Sequence, residues 1–265
     1  MFDSILDNGI FSIDISSRED ASTLAASYKA VRPFPHAVIK NLFRADFLSQ
    51  LESEILHFDK FDGEKDFFGA EKKRYCGTPE KLPPTVLKLI DACHSKVFLA
   101  FLEILTGEED LHSDKTLMGG GIHSILRGGF LKVHADFNWH EELGMYRRLN
   151  LLVFLNAKWQ ADWGGELELW SPDMSARELK VAPELNTSVI FTTDDDSYHG
   201  HPNPLKSPVG INRNSIALYY YSPVKPASGF SESGTTAYQE RYAGELSSGS
   251  LITRISTKLK SIFSS

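Results

Sequence analysis

The spacing of apolar residues changes near residue 115, and that change constrains the fold more than any other feature of the sequence. Upstream the period is helical. Ala21–Ala30 and Ala45–Phe58 both carry apolar residues three or four apart, and Phe47, Leu48, Leu51, Ile55 and Phe58 fall on one stripe. Pro83-Pro84 opens a third helix, TVLKLIDACHSKVFLAFLEILTG, which Gly107 ends. HAVIKNLF, after Pro33 and Pro35, reads as a short strand, and residues 62–82, with glycine, proline and mixed charge, read as a loop.

Downstream the period shortens toward two. The expected strands are Thr116–Leu126, Phe130–Asp136, Leu149–Asn156, Gly165–Trp170, Glu178–Ala182, Ser188–Thr192 and Ser215–Ser222. Turn chemistry separates them at Arg127-Gly128-Gly129, Asp162-Trp163-Gly164-Gly165, Ser171-Pro172-Asp173 and Pro183-Glu184. Short, evenly punctuated strands predict a mainly β sandwich or jelly roll with flanking helices rather than a parallel sheet. The chain divides into a helical support region, 1–115, a β core, 116–223, and a tail, 224–265. That tail is rich in Ser, Gly and Pro and ends in Leu251–Phe263, a basic amphipathic helix expected to dock on the surface, with a membrane or partner contact as the alternative.

With 28 Lys plus Arg against 35 Asp plus Glu, the net charge of −7 offers no electrostatic footprint for nucleic acid. Two cysteines, Cys76 and Cys93, are too few for a disulfide framework or a cysteine-based zinc site, which fits a reducing cytoplasm. The acidic N-terminus does not read as a signal peptide, and no apolar run is long enough for a membrane span.

Chemistry concentrates at Lys132-Val133-His134-Ala135-Asp136. Residues two apart on a strand point to one face, so His134 and Asp136 supply two-thirds of the facial triad that holds ferrous iron with open positions. Ser197-Tyr198-His199-Gly200-His201-Pro202 follows several strands later. In a jelly roll its strand can lie beside the first, letting His199 complete the set. Arg213 and Ser215, also two apart, present a guanidinium and a hydroxyl on one strand face, a receptor for a carboxylate. Iron with a dedicated carboxylate anchor implies a dicarboxylic co-substrate that chelates the metal.

Five blocks in order, GGFLKVHADFNW, RRLNLLVFLN, GGELELW, SVIFTTDDDSYHGHP and RNSIALYYYS, resemble the iron(II)- and 2-oxoglutarate-dependent dioxygenases, in the branch similar to prolyl 4-hydroxylases. The resemblance spans roughly Met118 to Pro223. It implies a double-stranded β-helix (a cupin-like jelly roll) behind an N-terminal helical layer. By the same resemblance His134, Asp136 and His199 ligate Fe(II), Arg213 pairs with the distal carboxylate of 2-oxoglutarate, and Ser215 adds a hydrogen bond. A tyrosine common in the branch is replaced here by Phe154, and Asn150, four residues earlier on the same face, is the replacement candidate. The retained Asp136 favours hydroxylation over halogenation. The implied reaction consumes O2 and 2-oxoglutarate, yields succinate and carbon dioxide, and hydroxylates an unactivated C–H bond. The resemblance also admits ascorbate as an accessory reductant.

Competing readings are a non-catalytic metal-binding barrel acting as a binding module, and a zinc or manganese isomerase on a cupin barrel, which would have no need of Arg213 and Ser215. His199 is preferred to His201 as ligand. His123 reads as a structural histidine, Asp194-Asp195-Asp196 as a solvated turn, Tyr219-Tyr220-Tyr221 as strand packing, and Trp139–Glu142 with Tyr146, Arg147 and Arg148 as the rim of the barrel mouth. The branch acts on prolyl groups in proteins, free amino acids, other small molecules and saccharides. The modest length of Asn138–Arg147 favours a small-molecule or glycan substrate over a peptide.

Overall fold

The structure is a computed structural model that describes residues 9–226 and 230–246. The expected Leu251–Phe263 helix lies outside the described residues. The helices are α1 (Arg18–Tyr28), α2 (Ala45–Leu56), α3 (Pro84–Cys93) and α4 (Lys96–Thr106). The strands are β1 (His36–Lys40), β2 (Gly63–Phe67), β3 (Ala70–Cys76), β4 (His112–Ser113), β5 (Gly121–Ala135), β6 (Trp139–His140) and β7 (Met145–Phe154). They continue with β8 (Leu167–Trp170), β9 (Arg177–Val181), β10 (Thr187–Thr192), β11 (His199–His201), β12 (Arg213–Ser222) and β13 (Ala237–Tyr238).

Three of the helix ends follow from local chemistry. Ser17 caps α1 by accepting from the Asp20 amide, with Glu19 and Asp20 favourably placed in the first turn. Leu48, Leu51 and Ile55 are the buried stripe of α2. The third expected helix is two: Ser95 adopts extended backbone and its hydroxyl accepts from the Phe98 amide, so it starts a new helix, α4, which Gly107 ends in the left-handed region.

The strands run β1-β10-β7-β12-β5-β11-β8-β9 in one sheet that folds back on itself as a double-stranded β-helix. Its long strand β5 joins the two halves. Gly121–Ile125 pair with β12, and Leu131 and His134 pair with β11. The Arg127-Gly128-Gly129 turn expected within this stretch is absent, because the chain continues through it as one strand. Alternation on the central strands sorts the interior. Leu149, Leu151 and Val153 of β7, with Ile216, Leu218 and Tyr220 of β12, face the helices and share one core with Leu48, Leu89, Phe98 and Leu102. Burying each such Leu contributes roughly 1.5–3 kcal/mol. The intervening residues Asn150, Leu152, Arg213, Ser215 and Tyr219 face the opposite way, into a cavity inside the barrel.

The largest departure from expectation lies in residues 62–82. Instead of a loop, β2 and β3 form a hairpin whose second strand pairs with β5 from Ile122 to Leu131. Together with β1, which pairs with β10, it makes the first 115 residues a contributor to the sheet as well as a helical support. Cys76 and Cys93 are both buried and free. No helix among the described residues is long and apolar enough to cross a membrane.

Candidate active site

Strand pairing sets the geometry. His199 of β11 lies directly opposite His134 of β5, and Asp136 follows the end of β5. Gly200 is required beside them: a Cβ there would lie 2.8 Å from the carbonyl oxygens of Leu131 and Lys132. One ligand atom from each of His134, Asp136 and His199 fits within 4.8 Å of the others, a group that could hold a metal ion. His134 Nε2 stands 3.5 Å from Asp136 Oδ1, and His199 Nε2 stands 3.4 Å from Asp136 Oδ2.

Both imidazoles are oriented by the backbone. The Nδ1–H of His134 donates to the Lys132 carbonyl at 2.8 Å, and that of His199 donates to the Ser197 carbonyl at 2.9 Å. A carbonyl only accepts, so the proton sits on Nδ1 and the Nε2 lone pairs point at the shared centre. Burial, followed by the neighbouring His199, pushes His134 down, which favours the neutral ligand form. Phe191 packs edge-on against His199 with 4.7 Å between ring centroids.

Asp136 is held by two residues of β7. Arg147 Nη2 donates to Asp136 Oδ2 at 2.9 Å and Asn150 Nδ2 donates to the same oxygen at 2.7 Å. Arg147 Nε and Nη2 also donate to Asn150 Oδ1, at 2.9 and 2.7 Å. Burial alone would raise the Asp136 carboxyl, yet Arg147 and the two imidazoles hold it well below the usual carboxylate range. Arg147 is 1% exposed and lies 3.5 Å from the centre of the Tyr219 ring. It is therefore no rim residue, contrary to the sequence expectation. Its neighbour Arg148 turns away to Glu108 at 2.7 Å, and Tyr146 donates to Glu232. His140, also expected at the rim, is fully buried beside Asp114.

Arg213 and Ser215 line the same cavity as the three candidate ligands. Arg213 is 4% exposed, and its side chain's one hydrogen bond among the described residues runs from Nε to the Gly165 carbonyl, at 2.6 Å. Gly165 has φ +77°, and a Cβ there would press on Leu205 and the Arg213 side chain. Burial pushes the Arg213 guanidinium down to about 9, so it remains charged at neutral pH. No carboxylate among the described residues pairs with it; Glu166, the acid it senses, is taken by Lys180 at 2.7 Å. A buried cation without a counter-charge is costly unless a ligand supplies one. His201 Nδ1, buried in the same cavity, likewise has no hydrogen-bond partner among the described residues.

The other sequence candidates fall into place around this centre. His123 Nε2 bonds to the Gly119 carbonyl at 3.0 Å, a satisfied histidine on the cavity wall. Asp195 is not free in its turn: it accepts from Asn138, Ser231 N and Ser231 Oγ. Asn150 sits in the cavity wall, but its amide is engaged with Asp136 and Arg147 rather than aimed freely into the space. Three neighbours were not legible as site residues: Lys73 in the hairpin taken for a loop, Tyr219 taken for packing, and Tyr238 of β13, whose ring lies 5.5 Å from that of His134.

Residues 120–221 match the family model of the 2OG-Fe(II) oxygenase superfamily. A search of curated proteins found no match. Among solved structures, the chain is similar to a Pseudomonas putida prolyl-4-hydroxylase, with 15% identity, a TM-score of 0.54, and coverage of 78% of this chain and 99% of that one. A Phytophthora capsici prolyl 4-hydroxylase gives 19% identity and a TM-score of 0.53, covering 81% and 68%. A Trichoplax adhaerens prolyl hydroxylase, solved with a peptide fragment of the hypoxia inducible factor oxygen degradation domain, gives 16% and 0.50, covering 77% and 90%. Residues 120–221 thus match the 2OG-Fe(II) oxygenase superfamily, whose reagents are Fe(II), 2-oxoglutarate and O2, on a fold similar to that of the prolyl 4-hydroxylases.

Proposed function

We propose that the chain is an Fe(II)- and 2-oxoglutarate-dependent hydroxylase in which His134, Asp136 and His199 hold the iron and Arg213, with Ser215, holds the distal carboxylate of 2-oxoglutarate. The observation that carries this reading is a buried, uncompensated Arg213 in the same cavity as a buried His-Asp-His group. Iron would supply Lewis acidity and one-electron oxygen chemistry at its open positions.

The chain's own residues then do the positioning. The Lys132 and Ser197 carbonyls fix both imidazole tautomers. Arg147 and Asn150 both act on Asp136 Oδ2, which keeps the carboxylate ionised and leaves Oδ1 without a donor from either. The Gly165 carbonyl holds Nε of Arg213, so the remaining guanidinium nitrogens are free to take a carboxylate in bidentate fashion. Phe154, Leu152 and Leu167 make that end of the site apolar, which strengthens the ion pair. Asn150 we assign to holding Asp136 rather than to 2-oxoglutarate. The substrate would be hydroxylated at an unactivated C–H bond, and a small molecule or glycan is favoured over a peptide.

The test is an anaerobic titration with Fe(II) and then 2-oxoglutarate, following the visible charge-transfer band of a chelated complex. A band that requires both components and disappears in His199→Ala supports the assignment. Iron binding without any band would overturn it.

A further inference from the structure

We propose that Lys65 and Lys73 form an anion subsite for the primary substrate, so that this substrate bears a carboxylate or phosphate; the inference rests on the dioxygenase reading above. The hairpin register places the two lysines directly opposite each other, Lys65 on β2 and Lys73 on β3. Like charges in that position destabilise a hairpin. The adjacent pair shows the usual solution: Glu64 lies opposite Arg74 and binds it at 2.9 Å.

No ion pair or hydrogen bond among the described residues holds either lysine; Lys65 only approaches the Tyr75 ring, at 5.5 Å. The acids within the same cavities are already engaged. Asp62 is bound by Lys81, by Thr78 and by the Gly77 amide, and Asp136 by Arg147 and Asn150. Burial and then the charge of Lys65 push Lys73 down to about 7, against the opposing charge of Asp136.

Position argues for substrate rather than co-substrate. Lys65 and Lys73 together line two connected spaces. One contains His134, Asp136, Arg147, Tyr219 and Tyr238. The other is a groove of about 450 Å³ lined also by Thr78 and Gly119-Gly120. Arg213 and Ser215 line neither; Lys73 also lines the cavity that holds them, whereas Lys65 does not. A molecule held in these two spaces therefore meets both lysines and the metal group without contact with Arg213 or Ser215. Aromatic rings at Tyr75, Tyr219 and Tyr238 wall the same spaces.

The experiment uses the full chain with Zn(II) in place of iron and saturating 2-oxoglutarate. The Lys73 side-chain NMR resonance, assigned by its loss in Lys73→Gln, is followed during titration with benzoate, phenyl phosphate and the neutral benzamide. Benzoate, phenyl phosphate or both should shift it saturably and benzamide should not, and whichever anion binds tighter identifies the carboxylate or phosphate class. Lys65→Gln should weaken that binding by about tenfold or more, as expected for loss of one charge contact, and Lys65→Arg should restore it. The absence of a saturable shift, or an equal response to benzamide, would overturn the proposal. So would a Lys73→Gln variant whose Fe(II) form binds 2-oxoglutarate more weakly, since that would place Lys73 on the co-substrate. If the wild-type Fe(II) form gives no charge-transfer band with 2-oxoglutarate, the dioxygenase reading itself falls and takes the subsite with it.

Discussion

The Phe154 ring stacks against the Arg213 guanidinium, 4.9 Å from its centre to Cζ. Phe154 pairs with Ser215 across β7 and β12, so an aromatic face, and no hydroxyl, supports the arginine. The planar guanidinium is thereby held from one side by a ring and at Nε by the Gly165 carbonyl.

Arg213→Gln should therefore raise the 2-oxoglutarate dissociation constant by roughly 30-fold or more, the loss expected when one partner of a buried charge pair is truncated, while iron affinity stays near wild type. Phe154→Tyr should be tolerated, with 2-oxoglutarate binding retained. Both are read by the charge-transfer titration and by thermal melts. Unchanged co-substrate affinity in Arg213→Gln would remove the anchor assignment.

Asn150→Ala separates two roles for that residue. It deletes one donor to Asp136 Oδ2 and one acceptor for Arg147. If Asn150 positions the carboxylate, Fe(II) affinity should fall by about 10- to 100-fold, the usual effect of losing a group that orients a metal ligand. The 2-oxoglutarate dissociation constant, measured at saturating metal, should change less than about threefold. The reverse pattern would restore Asn150 to the co-substrate pocket.

What was legible in the sequence follows from which constraints are local. The His134, Asp136 and His199 grouping could be anticipated because strand alternation and antiparallel pairing act residue by residue, and the structure brings those three side chains together. Arg213 and Ser215 share a strand face for the same reason. Arg147 was missed because an Arg-Arg pair at a strand start reads as surface. Only the tertiary fold shows that Asp136 and the rings of Phe137 and Tyr219 receive one arginine inside, while Glu108 receives the other. The β2–β3 hairpin was read as a loop because its Glu64, Lys65, Lys73 and Arg74 show no apolar alternation: one face meets solvent and the other a polar cavity. The break between α3 and α4 was hidden by unbroken helical spacing, although Ser95 is the residue type that caps a new helix.

Acid should destabilise the metal-free protein before its carboxylates titrate. Burial pushes His94 down to about 4, and its Nε2 is buried with no hydrogen-bond partner among the described residues. Because the folded value lies below the unfolded one, near ~6.5, the unfolded chain binds the extra proton between them. Stability should then fall as pH drops from about 6.5 toward 4, by up to about 2 kcal/mol from this residue between pH 6.5 and 5. Burial also lowers His123 and His201, which act with the same sign. Thermal melts at pH 7 and pH 5 measure the effect, and His94→Phe should shrink the difference. Equal melting temperatures at the two pH values would contradict it.

Lys73 offers the complementary titration. Burial is the largest cause of its depression to about 7; the charges of Lys65, Arg213 and Arg147 add to it, and Asp136 opposes it. In metal-free protein its resonance should titrate with a midpoint near 7 rather than near the ~10.4 of a free lysine. The sign differs from that of a lysine gaining a partner. Between those two values the unfolded chain keeps a proton that the folded chain has lost, so this group's contribution to stability rises with pH from about 7 to ~10.4 and is flat below. Lys65→Gln removes the second-largest cause and should move the midpoint upward. A bound carboxylate or phosphate should move it upward as well, because an anion favours the protonated amine. By linkage, anion affinity should then weaken as pH rises through about 7, and a pH-independent affinity for benzoate and phenyl phosphate between pH 6 and 9 would show that Lys73 does not receive the anion.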